Sequence, residues 1–283
     1  MSDVLPSDAV DLTGVIDLHI HSAPDVRPRK LDDIGVARAA AARGMRAILI
    51  KSHVTLTADR AYLAEQIVPG IRAFGGLALN HAVGGINPAA VEVALRLGAA
   101  EIWMPTVSAS AQRHDPAGPG ISIYQDGQNG RIADRVVDVL RLIAEHAAIL
   151  GTGHLSTEEV VDLVPVAREI GVHKILVSHP EHPPVEMPPP VQEELRDRFG
   201  VLLERCLIST SLAGWTLPFA ELAAVIRRVG PDSTVISTDL GQVTNPAPVD
   251  GMAMFIAHLR AEGFDQVSID RMCRENPAAL LEL

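Results

Sequence analysis

Short apolar runs alternate with amphipathic, alanine- and leucine-rich segments along nearly the whole chain. The apolar runs have the length of buried strands, and the amphipathic segments have the spacing of helices. The predicted strands are 14–20, 45–51, 71–79, 100–105, 148–153, 173–178, 201–208 and 233–238. The predicted helices lie near 31–43, 57–67, 88–97, 131–147, 156–170, 190–199, 218–229 and 250–262, with a final helix near 266–282.

Eight strand–helix units predict an α/β protein whose parallel sheet closes into a (βα)8 TIM barrel. An open, doubly wound sheet has the same periodicity and is the alternative. No linker or internal repeat divides the sequence, so we predict a single domain over residues 1–283 that ends in the helix near 266–282. The connections 106–130 and 179–190 are long and rich in glycine or proline, which is typical of lids and site walls.

The composition limits which side chains can form the core and which partners the protein can bind. Apolar residues make up 47% of the chain but aromatic residues only 3%, so the core must be built from small, branched side chains. The formal net charge of −11 would repel a polyanion. We therefore expect a small-molecule substrate and neither nucleic acid nor an anionic membrane as partner.

The sequence also indicates a compartment. Cys206 and Cys273 are the two cysteines, which are too few for a disulfide framework and suit a reducing environment. No basic, apolar leader and no run of about 18 apolar residues is present. We predict a cytoplasmic protein, and its apolar helix faces are compatible with a homo-oligomer.

Polar side chains follow most of the predicted strands. Strand one ends in His19-Ile-His21 and strand eight in Thr238-Asp239. The other residues of this kind are Lys51 and His53 after strand two, His81 after strand three, His154 after strand five and His179 after strand six. In a parallel barrel these positions share one rim, which is where such folds place their chemistry.

The spacing of His19 and His21 favours a metal site. Side chains two residues apart on a strand point to the same face, so both imidazoles would reach one ion. Burying many polar groups together is unfavourable unless they are paired or coordinate something, and imidazole with carboxylate is a ligand set for zinc and related divalent ions. A His-x-His pair alone is a weak motif, but the later histidines and Asp239 strengthen it.

Four segments together carry a resemblance to a known family. DLHIHSAPD, GTGHLS, LVSHPE and ISTDLGQ, in this order, resemble the motifs of the amidohydrolase superfamily, whose members are metal-dependent (βα)8 barrels. More narrowly, the chain is similar to a group of uncharacterised bacterial amidohydrolase-like proteins.

The resemblance implies roles for individual residues. His19 and His21 would be metal ligands, and Asp239 would be both a ligand and the general base. His154 and His179 would bind a second metal or, around a single ion, bind or polarise the substrate. The cofactor would be one or two divalent ions, with zinc favoured and manganese or iron as alternatives.

One departure from the family pattern concerns the bridge between two metals. Members with two ions commonly bridge them with a carboxylated lysine or a glutamate after strand four, where this chain has 103–106, WMPT. Lys51 would provide a bridge if it were carboxylated. An unmodified Lys51 would instead hold a substrate anion or a neighbouring carboxylate.

Several polar residues are candidate substrate contacts. They are His53, His81, Arg27 and Tyr124. Glu204 lies in the otherwise apolar seventh strand and is a candidate buried carboxylate. The interpretation that we favour is a salt bridge with Arg205 or Arg228.

The function predicted from these features is that of a metal-dependent hydrolase. It would activate water and cleave an amide, lactone or ester bond of a small molecule, with Asp239 and His179 as catalytic residues. A metal-dependent decarboxylase on the same barrel is one alternative. A PHP-type phosphoesterase is another, although Gly241 stands where that family needs a second histidine. A non-catalytic, ligand-binding barrel is the third.

Overall fold

The computed structural model describes residues 9–112, 119–125, 130–183 and 185–283. Parts of the two long predicted connections, 113–118, 126–129 and Pro184, lie outside the described residues. The strands are β1 (Ile16–His21), β2 (Ala47–Lys51), β3 (Arg72–Ala78), β4 (Glu101–Trp103), β5 (Ile149–Gly151), β6 (Lys174–Val177), β7 (Leu202–Cys206) and β8 (Thr234–Ser237). All eight lie within the strands predicted from the sequence except for His21, which extends β1 by one residue.

The helices alternate with the strands. They are α1 (Asp33–Ala42), α2 (Ala58–Ile67), α3 (Pro88–Arg96), α4 (Asp134–Glu145), α5 (Thr157–Ile170), α6 (Pro189–Phe199), α7 (Phe219–Val229), α8 (Pro248–Ala261), α9 (Gln266–Asp270) and α10 (Asn276–Leu281). The final predicted helix, 266–282, is therefore not one regular helix, because a π-helical turn at Arg271–Glu275 separates α9 from α10.

The strands form one eight-stranded sheet in the order β1 to β8. The strand pairs β1–β2, β3–β4, β4–β5, β5–β6 and β6–β7 are parallel. In the first pair, Ile16 lies beside Ala47 and His21 beside Lys51. A parallel bridge from Ile20 to Leu240 brings the chain after β8 alongside β1. The fold class is thus a (βα)8 barrel, as predicted. The single-domain boundaries 1–283 stay a prediction.

The chain divides into two compact units. The first unit takes in the chain up to Lys51, Arg60–Phe74 and Glu204–Leu283. The second takes in Ser52–Asp59 and Gly75–Leu203.

The core of the first unit consists mainly of small aliphatic side chains, as the composition predicts. Strands β1, β2 and β8 pack through Ile20, Ile48, Ile50 and Ile236. Helices α1, α7 and α8 cover them with Val36, Ala37, Ala40, Leu222, Ala223, Ile226, Met252, Ala253 and Ile256. Because this packing fixes the strands on their buried faces, it also fixes the side chains at their carboxyl ends.

In the second unit, α4 and α5 bury residues at helical spacing. In α4 these are Val136, Val139, Leu140 and Ile143, and in α5 Val160, Leu163, Val164 and Ala167. A capping box, in which Ser156 and Glu159 bond each other's backbone N–H groups, fixes the start of α5. Among the described residues, no helix combines the length and hydropathy that a membrane span requires.

Candidate metal centre

The carboxyl end of β1 presents two buried imidazoles. His19 and His21 are both 1% exposed, and their ring centroids are 5.4 Å apart. They lie on the same face of the strand because the side-chain period of a strand is two. A rigid, buried element therefore holds both rings.

Asp239, two residues after the end of β8, contacts both rings. Its Oδ1 atom lies 3.2 Å from Nε2 of His19 and 3.0 Å from Nε2 of His21. The Asp239 side chain is 13% exposed, so it is the member of the three that solvent reaches most readily. Its φ of 52° is in the left-handed region, which costs a residue other than glycine about 1–3 kcal/mol and is tolerated where the surroundings impose it.

Backbone contacts bring Asp239 to this position. The Asp239 N–H donates to the carbonyl oxygen of His19 at 2.8 Å, and the His21 N–H donates to Leu240 at 2.8 Å. Asp17, which is fully buried, adds side-chain bonds from β1. It accepts from the Thr238 hydroxyl at 2.6 Å and from the backbone N–H groups of Thr238 and His19, each at 3.1 Å. Burial raises the pKa of Asp17 to about 7 despite these hydrogen bonds.

Gly241 permits the close approach of the two strand ends. A Cβ atom at this position would lie 1.9 Å from the carbonyl oxygen of His21, and the φ of Gly241 is 144°. No residue other than glycine fits without moving the backbone. The second histidine of a PHP-type phosphoesterase therefore has no room here, which argues against that alternative.

Burial and the neighbouring charges shift the pKa values of the three side chains in opposite directions. Burial opposes the charged form of His19, but Asp239 and Glu204 outweigh burial and the nearby Lys51, so the pKa of His19 rises to about 9. Burial lowers the pKa of His21 to about 4 even though it bonds Asp239. Burial also opposes ionisation of Asp239, but His19 and His21 hold its pKa well below the ordinary value.

The other nitrogen of His19 contacts Glu204, a contact that sequence reasoning missed. Nδ1 lies 3.2 Å from Oε2 of Glu204 and 3.7 Å from Sγ of Cys206. Burial raises the pKa of the Cys206 thiol well above its ordinary value, so the thiol keeps its proton at neutral pH. When Nδ1 donates to Glu204, Nε2 keeps its lone pair on the side of Asp239. This is how a carboxylate typically orients a metal-binding histidine.

Lys51 ends β2 beside His21 and reaches the same atom of His19. Its Nζ lies 3.0 Å from Nε2 of His19, and the residue is 1% exposed. The sequence thus predicted its proximity to the candidate centre. Carboxylation of Lys51 into a metal bridge stays a prediction.

The donor set of His19, His21 and Asp239 fits a divalent metal ion. Their candidate ligand atoms all lie within 4.8 Å of one another. Ligand atoms about 2.1 Å from a tetrahedral zinc ion are about 3.4 Å apart, close to the separations from Asp239 Oδ1 to the two nitrogens. His19 also belongs to a second group of this kind, with Glu204 and Cys206 on its Nδ1 side.

The remaining predicted histidines at strand ends lie in the second unit. His154 and His179 are buried, with ring centroids 4.9 Å apart, and the ring of His53 lies 6.2 Å from that of His154. Nδ1 of His53 is 2.8 Å from Oγ1 of Thr106, and Nδ1 of His154 is 2.9 Å from Oε1 of Gln112. Their predicted metal and substrate roles stay predictions.

Three further substrate candidates have structural contacts of their own. The Tyr124 hydroxyl donates to Asp162 of α5 at 2.8 Å, and the residue is 6% exposed. His81 is partly exposed, with Nε2 2.9 Å from the carbonyl oxygen of Pro119. Arg27 is exposed, and its backbone N–H donates to Asp25. These contacts account for Tyr124 without a ligand, and substrate binding by the three residues stays a prediction.

Solved structures of low sequence identity share this fold. An amidohydrolase from Pseudomonas aeruginosa is 16% identical, with a TM-score of 0.62 and 98% of each chain covered. A lactonase from Listeria monocytogenes is 13% identical, with a TM-score of 0.62 over 96% of this chain and 95% of that chain. The metallopeptidase dipeptidase AC is 13% identical, with a TM-score of 0.63 over 96% of this chain and 98% of that chain. The chain thus has the fold of the amidohydrolases.

A family model identifies the chain more narrowly. The model of the family of unknown function DUF6282 matches residues 14–204, well over half of the 283 residues. The chain therefore belongs to the DUF6282 family. No curated protein matches it. The matched segment contains His19, His21, Lys51 and Glu204, whereas Asp239 lies beyond it.

Proposed function

We propose that this protein is a metal-dependent hydrolase that cleaves an amide, lactone or ester bond of a small molecule. The observation that carries the proposal is the convergence of His19, His21 and Asp239. Two imidazole nitrogens and a carboxylate oxygen from β1 and the end of β8 lie at separations suited to one ion. Solvent reaches this group through Asp239.

The proposed cofactor is a divalent ion held by His19 Nε2, His21 Nε2 and Asp239 Oδ1. Two nitrogens and one oxygen favour zinc, with manganese or iron as alternatives. When bound, such an ion lowers the pKa of water toward about 7 and polarises a carbonyl oxygen. An ion held by three protein ligands keeps a position open for substrate, as catalytic sites require.

Asp239 is the proposed general base. Its neighbours keep it ionised at neutral pH, and its partial exposure lets it meet water and substrate. It would accept a proton from the attacking water and return it to the leaving group, a role that a positioned carboxylate commonly fills.

The two histidines are proposed to act as ligands in their neutral forms. The low pKa of His21, about 4, already keeps it neutral at physiological pH. His19 would release its Nε2 proton on metal binding and keep the Nδ1 proton, which it would donate to Glu204. Glu204 thereby holds the ring with Nε2 toward Asp239.

The names of proteins with this fold support the class of reaction. An amidohydrolase and a lactonase act on bonds to a carbonyl carbon, and dipeptidase AC is a metallopeptidase. At 13 to 16% identity they do not define a substrate for this chain. We therefore propose the bond type and leave the substrate unnamed.

Isotope labelling tests the proposal. Zinc- or manganese-loaded protein is incubated with a panel of lactones, dipeptides and cyclic amides in water enriched in oxygen-18. Hydrolysis places one labelled oxygen in the product carboxylate, which mass spectrometry detects. Absence of turnover across the panel, together with no metal bound at His19, His21 and Asp239, would overturn the proposal.

The same experiment distinguishes the alternatives. Aromatic and enol acids added to the panel would reveal a decarboxylase, which releases carbon dioxide without fixing oxygen from water. Phosphate monoesters would reveal a phosphoesterase, which places the labelled oxygen in inorganic phosphate. Either result without carboxylate labelling would replace hydrolysis at a carbonyl as the proposed reaction.

A further inference from the structure

Thr238 lies between the end of β8 and Asp239, and it is fully buried. Its hydroxyl donates to Oδ2 of Asp17 at 2.6 Å, and its backbone N–H donates to Oδ1 of the same carboxylate at 3.1 Å. Oδ1 of Asp17 also accepts the His19 N–H at 3.1 Å. One buried carboxylate of β1 thus holds Thr238 by two hydrogen bonds and His19 by a third.

The Thr238 hydroxyl also reaches the residue that follows Asp239. The Leu240 N–H donates to Oγ1 of Thr238 at 3.4 Å, which closes a short turn around Asp239. Threonine hydroxyls commonly form such turns with the backbone two residues further on. A hydroxyl has one proton and two lone pairs, so Oγ1 can donate to Asp17 and accept from Leu240 at the same time.

The backbone of Asp239 is held on both of its polar groups. Its N–H donates to the carbonyl oxygen of His19 at 2.8 Å, and its carbonyl oxygen accepts from Nε2 of Gln242 at 3.1 Å. Oε1 of Gln242 in turn accepts from Nδ2 of Asn245 at 3.0 Å. Between these contacts Asp239 adopts its left-handed φ of 52°.

This conformation determines where the Asp239 carboxylate points. A residue other than glycine stays in the left-handed region only when its surroundings impose that conformation. A change to negative φ would rotate the Cα–Cβ bond of Asp239. Oδ1 would then leave its positions 3.2 Å from Nε2 of His19 and 3.0 Å from Nε2 of His21.

From these contacts we propose that Thr238 is a positioning residue for Asp239. Its hydroxyl, anchored on Asp17, holds Asp239 in the left-handed conformation that directs Oδ1 to the two imidazole nitrogens. The effect on turnover rests on the proposed function, whereas the effect on the geometry of Asp239 does not. The hydroxyl is the part of this restraint that a substitution can remove while the backbone N–H of residue 238 is kept.

Three variants separate the hydroxyl from the rest of the side chain. Thr238→Val has the same shape without the hydroxyl, and Thr238→Ser keeps the hydroxyl without the methyl group. Thr234→Val is the matched control. Thr234 is a buried threonine at the start of the same strand, and its hydroxyl donates to the carbonyl oxygen of Gly230 at 3.0 Å. The control therefore loses a comparable hydrogen bond at the opposite end of β8.

Crystal structures of the metal-free variants give the first measurement. In Thr238→Val we expect the φ of Asp239 to become negative and Oδ1 to move away from both Nε2 atoms by about 1 Å or more, a displacement large enough to impair a reacting group. Thr238→Ser and Thr234→Val should keep the wild-type position of Oδ1. This measurement does not depend on any reaction.

Steady-state kinetics with metal-saturated protein give the second measurement, on the substrate found by the labelling panel. Thr238→Val should lower kcat about 100-fold with little change in KM, because a displaced base loses its effect in the transition state and not in substrate binding. Thr238→Ser should restore most of this loss. Thr234→Val should keep the wild-type kcat, so a general loss of stability would not account for the difference.

A further pair of variants applies if Thr238→Val does not fold, as judged by circular dichroism. Thr238→Val takes a donor from a buried carboxylate, which is costlier than taking it from a neutral group. Asp17→Asn/Thr238→Val removes that charge together with the hydroxyl. Its reference is Asp17→Asn, which retains the Thr238 hydroxyl. The same displacement of Asp239 is expected between these two proteins.

The outcomes for Thr238 and for the proposed function can be told apart. An unchanged Asp239 in Thr238→Val, or in the double variant compared with Asp17→Asn, would overturn the positioning role. Wild-type kcat in Thr238→Val would overturn it as well, while the proposed hydrolase would stand. If the wild-type protein turns over no substrate, the proposed function fails, and the crystal structures alone decide whether Thr238 positions Asp239.

Discussion

Nδ1 of His19 lies 3.2 Å from Oε2 of Glu204, although 185 positions separate the two residues in the sequence. Both side chains are 1% exposed. The carboxylate therefore acts on one nitrogen of the ring, while the other nitrogen faces Asp239. A charge held behind a metal-binding imidazole orients the ring and strengthens it as a ligand.

Replacement of Glu204 should consequently weaken metal binding at His19. We expect Glu204→Leu to lower zinc affinity by about 10- to 100-fold and Glu204→Gln to have a smaller effect, since Gln keeps an acceptor for the Nδ1 proton. Competition with a chelating dye measures the affinity. Glu221→Gln, an exposed change on α7, is the control. Wild-type affinity in Glu204→Leu would show that Glu204 does not support His19.

The ligand assignment itself predicts a loss of metal. His19→Ala and His21→Ala should each contain one ion fewer per chain after dialysis, because each removes one of three donors. Plasma emission spectrometry measures the metal content. His146→Ala, an exposed histidine at the end of α4, should keep the wild-type content. Unchanged metal in both ligand variants contradicts the assignment.

Asp239 is predicted to matter more for turnover than for folding. We expect Asp239→Asn to lower kcat by about 10²- to 10⁴-fold, the usual contribution of a general base, while the variant remains folded. Steady-state kinetics on the substrate found by the labelling panel, with protein saturated in metal, measure this effect. Asp250→Asn, an exposed change in α8, is the matched control. Near-wild-type kcat in Asp239→Asn would remove the residue from its proposed role.

Zinc binding at the first centre should release a proton below about pH 9. His19 has a pKa of about 9 in the metal-free protein, so it holds a proton at pH 7.5 that a metal must displace. Affinity should therefore rise with pH up to about 9 and then level off, and protonation of His21 should reduce it further below about pH 4.

Calorimetry in buffers of different ionisation enthalpy measures this release. The heat of zinc binding should depend linearly on the buffer enthalpy, with a slope of about one proton at pH 7.5. His173→Ala, which replaces an exposed histidine before β6, is the control and should give the same slope. A heat that is identical in all buffers would mean that His19 is already neutral before the ion binds.

The close approach at Gly241 predicts a stability effect. Gly241→Ala places a Cβ atom 1.9 Å from the carbonyl oxygen of His21, so the backbone must move. Gly230→Ala is the control, because Gly230 also has a positive φ, 100°, but has nothing within 4 Å of the added atom. We expect Gly241→Ala to lower the free energy of unfolding by about 1–3 kcal/mol more than Gly230→Ala, measured by urea denaturation. Equal losses would show that the backbone yields easily there.

The sequence by itself determined the order of the elements and part of the candidate centre. Strand and helix periodicity is local, so alternating apolar and amphipathic segments were enough to predict eight βα units. The spacing of His19 and His21 predicted that both rings lie on one face, because the side-chain period of a strand is fixed. Lys51 and Asp239 were predicted from their positions at strand ends, which share one rim in a parallel barrel.

The tertiary structure alone decided which buried groups meet. Glu204 was expected to pair with an arginine, but the packing of the first unit places its carboxylate against His19. His182 had no strand-end signal, yet it is buried, and its N–H donates to the carbonyl oxygen of His179 at 2.8 Å. The need for glycine at 241 likewise follows from how closely the end of β8 approaches β1. Such contacts depend on strand register and on loop packing. Both are determined jointly by residues that are distant in the sequence, so no local pattern encodes them.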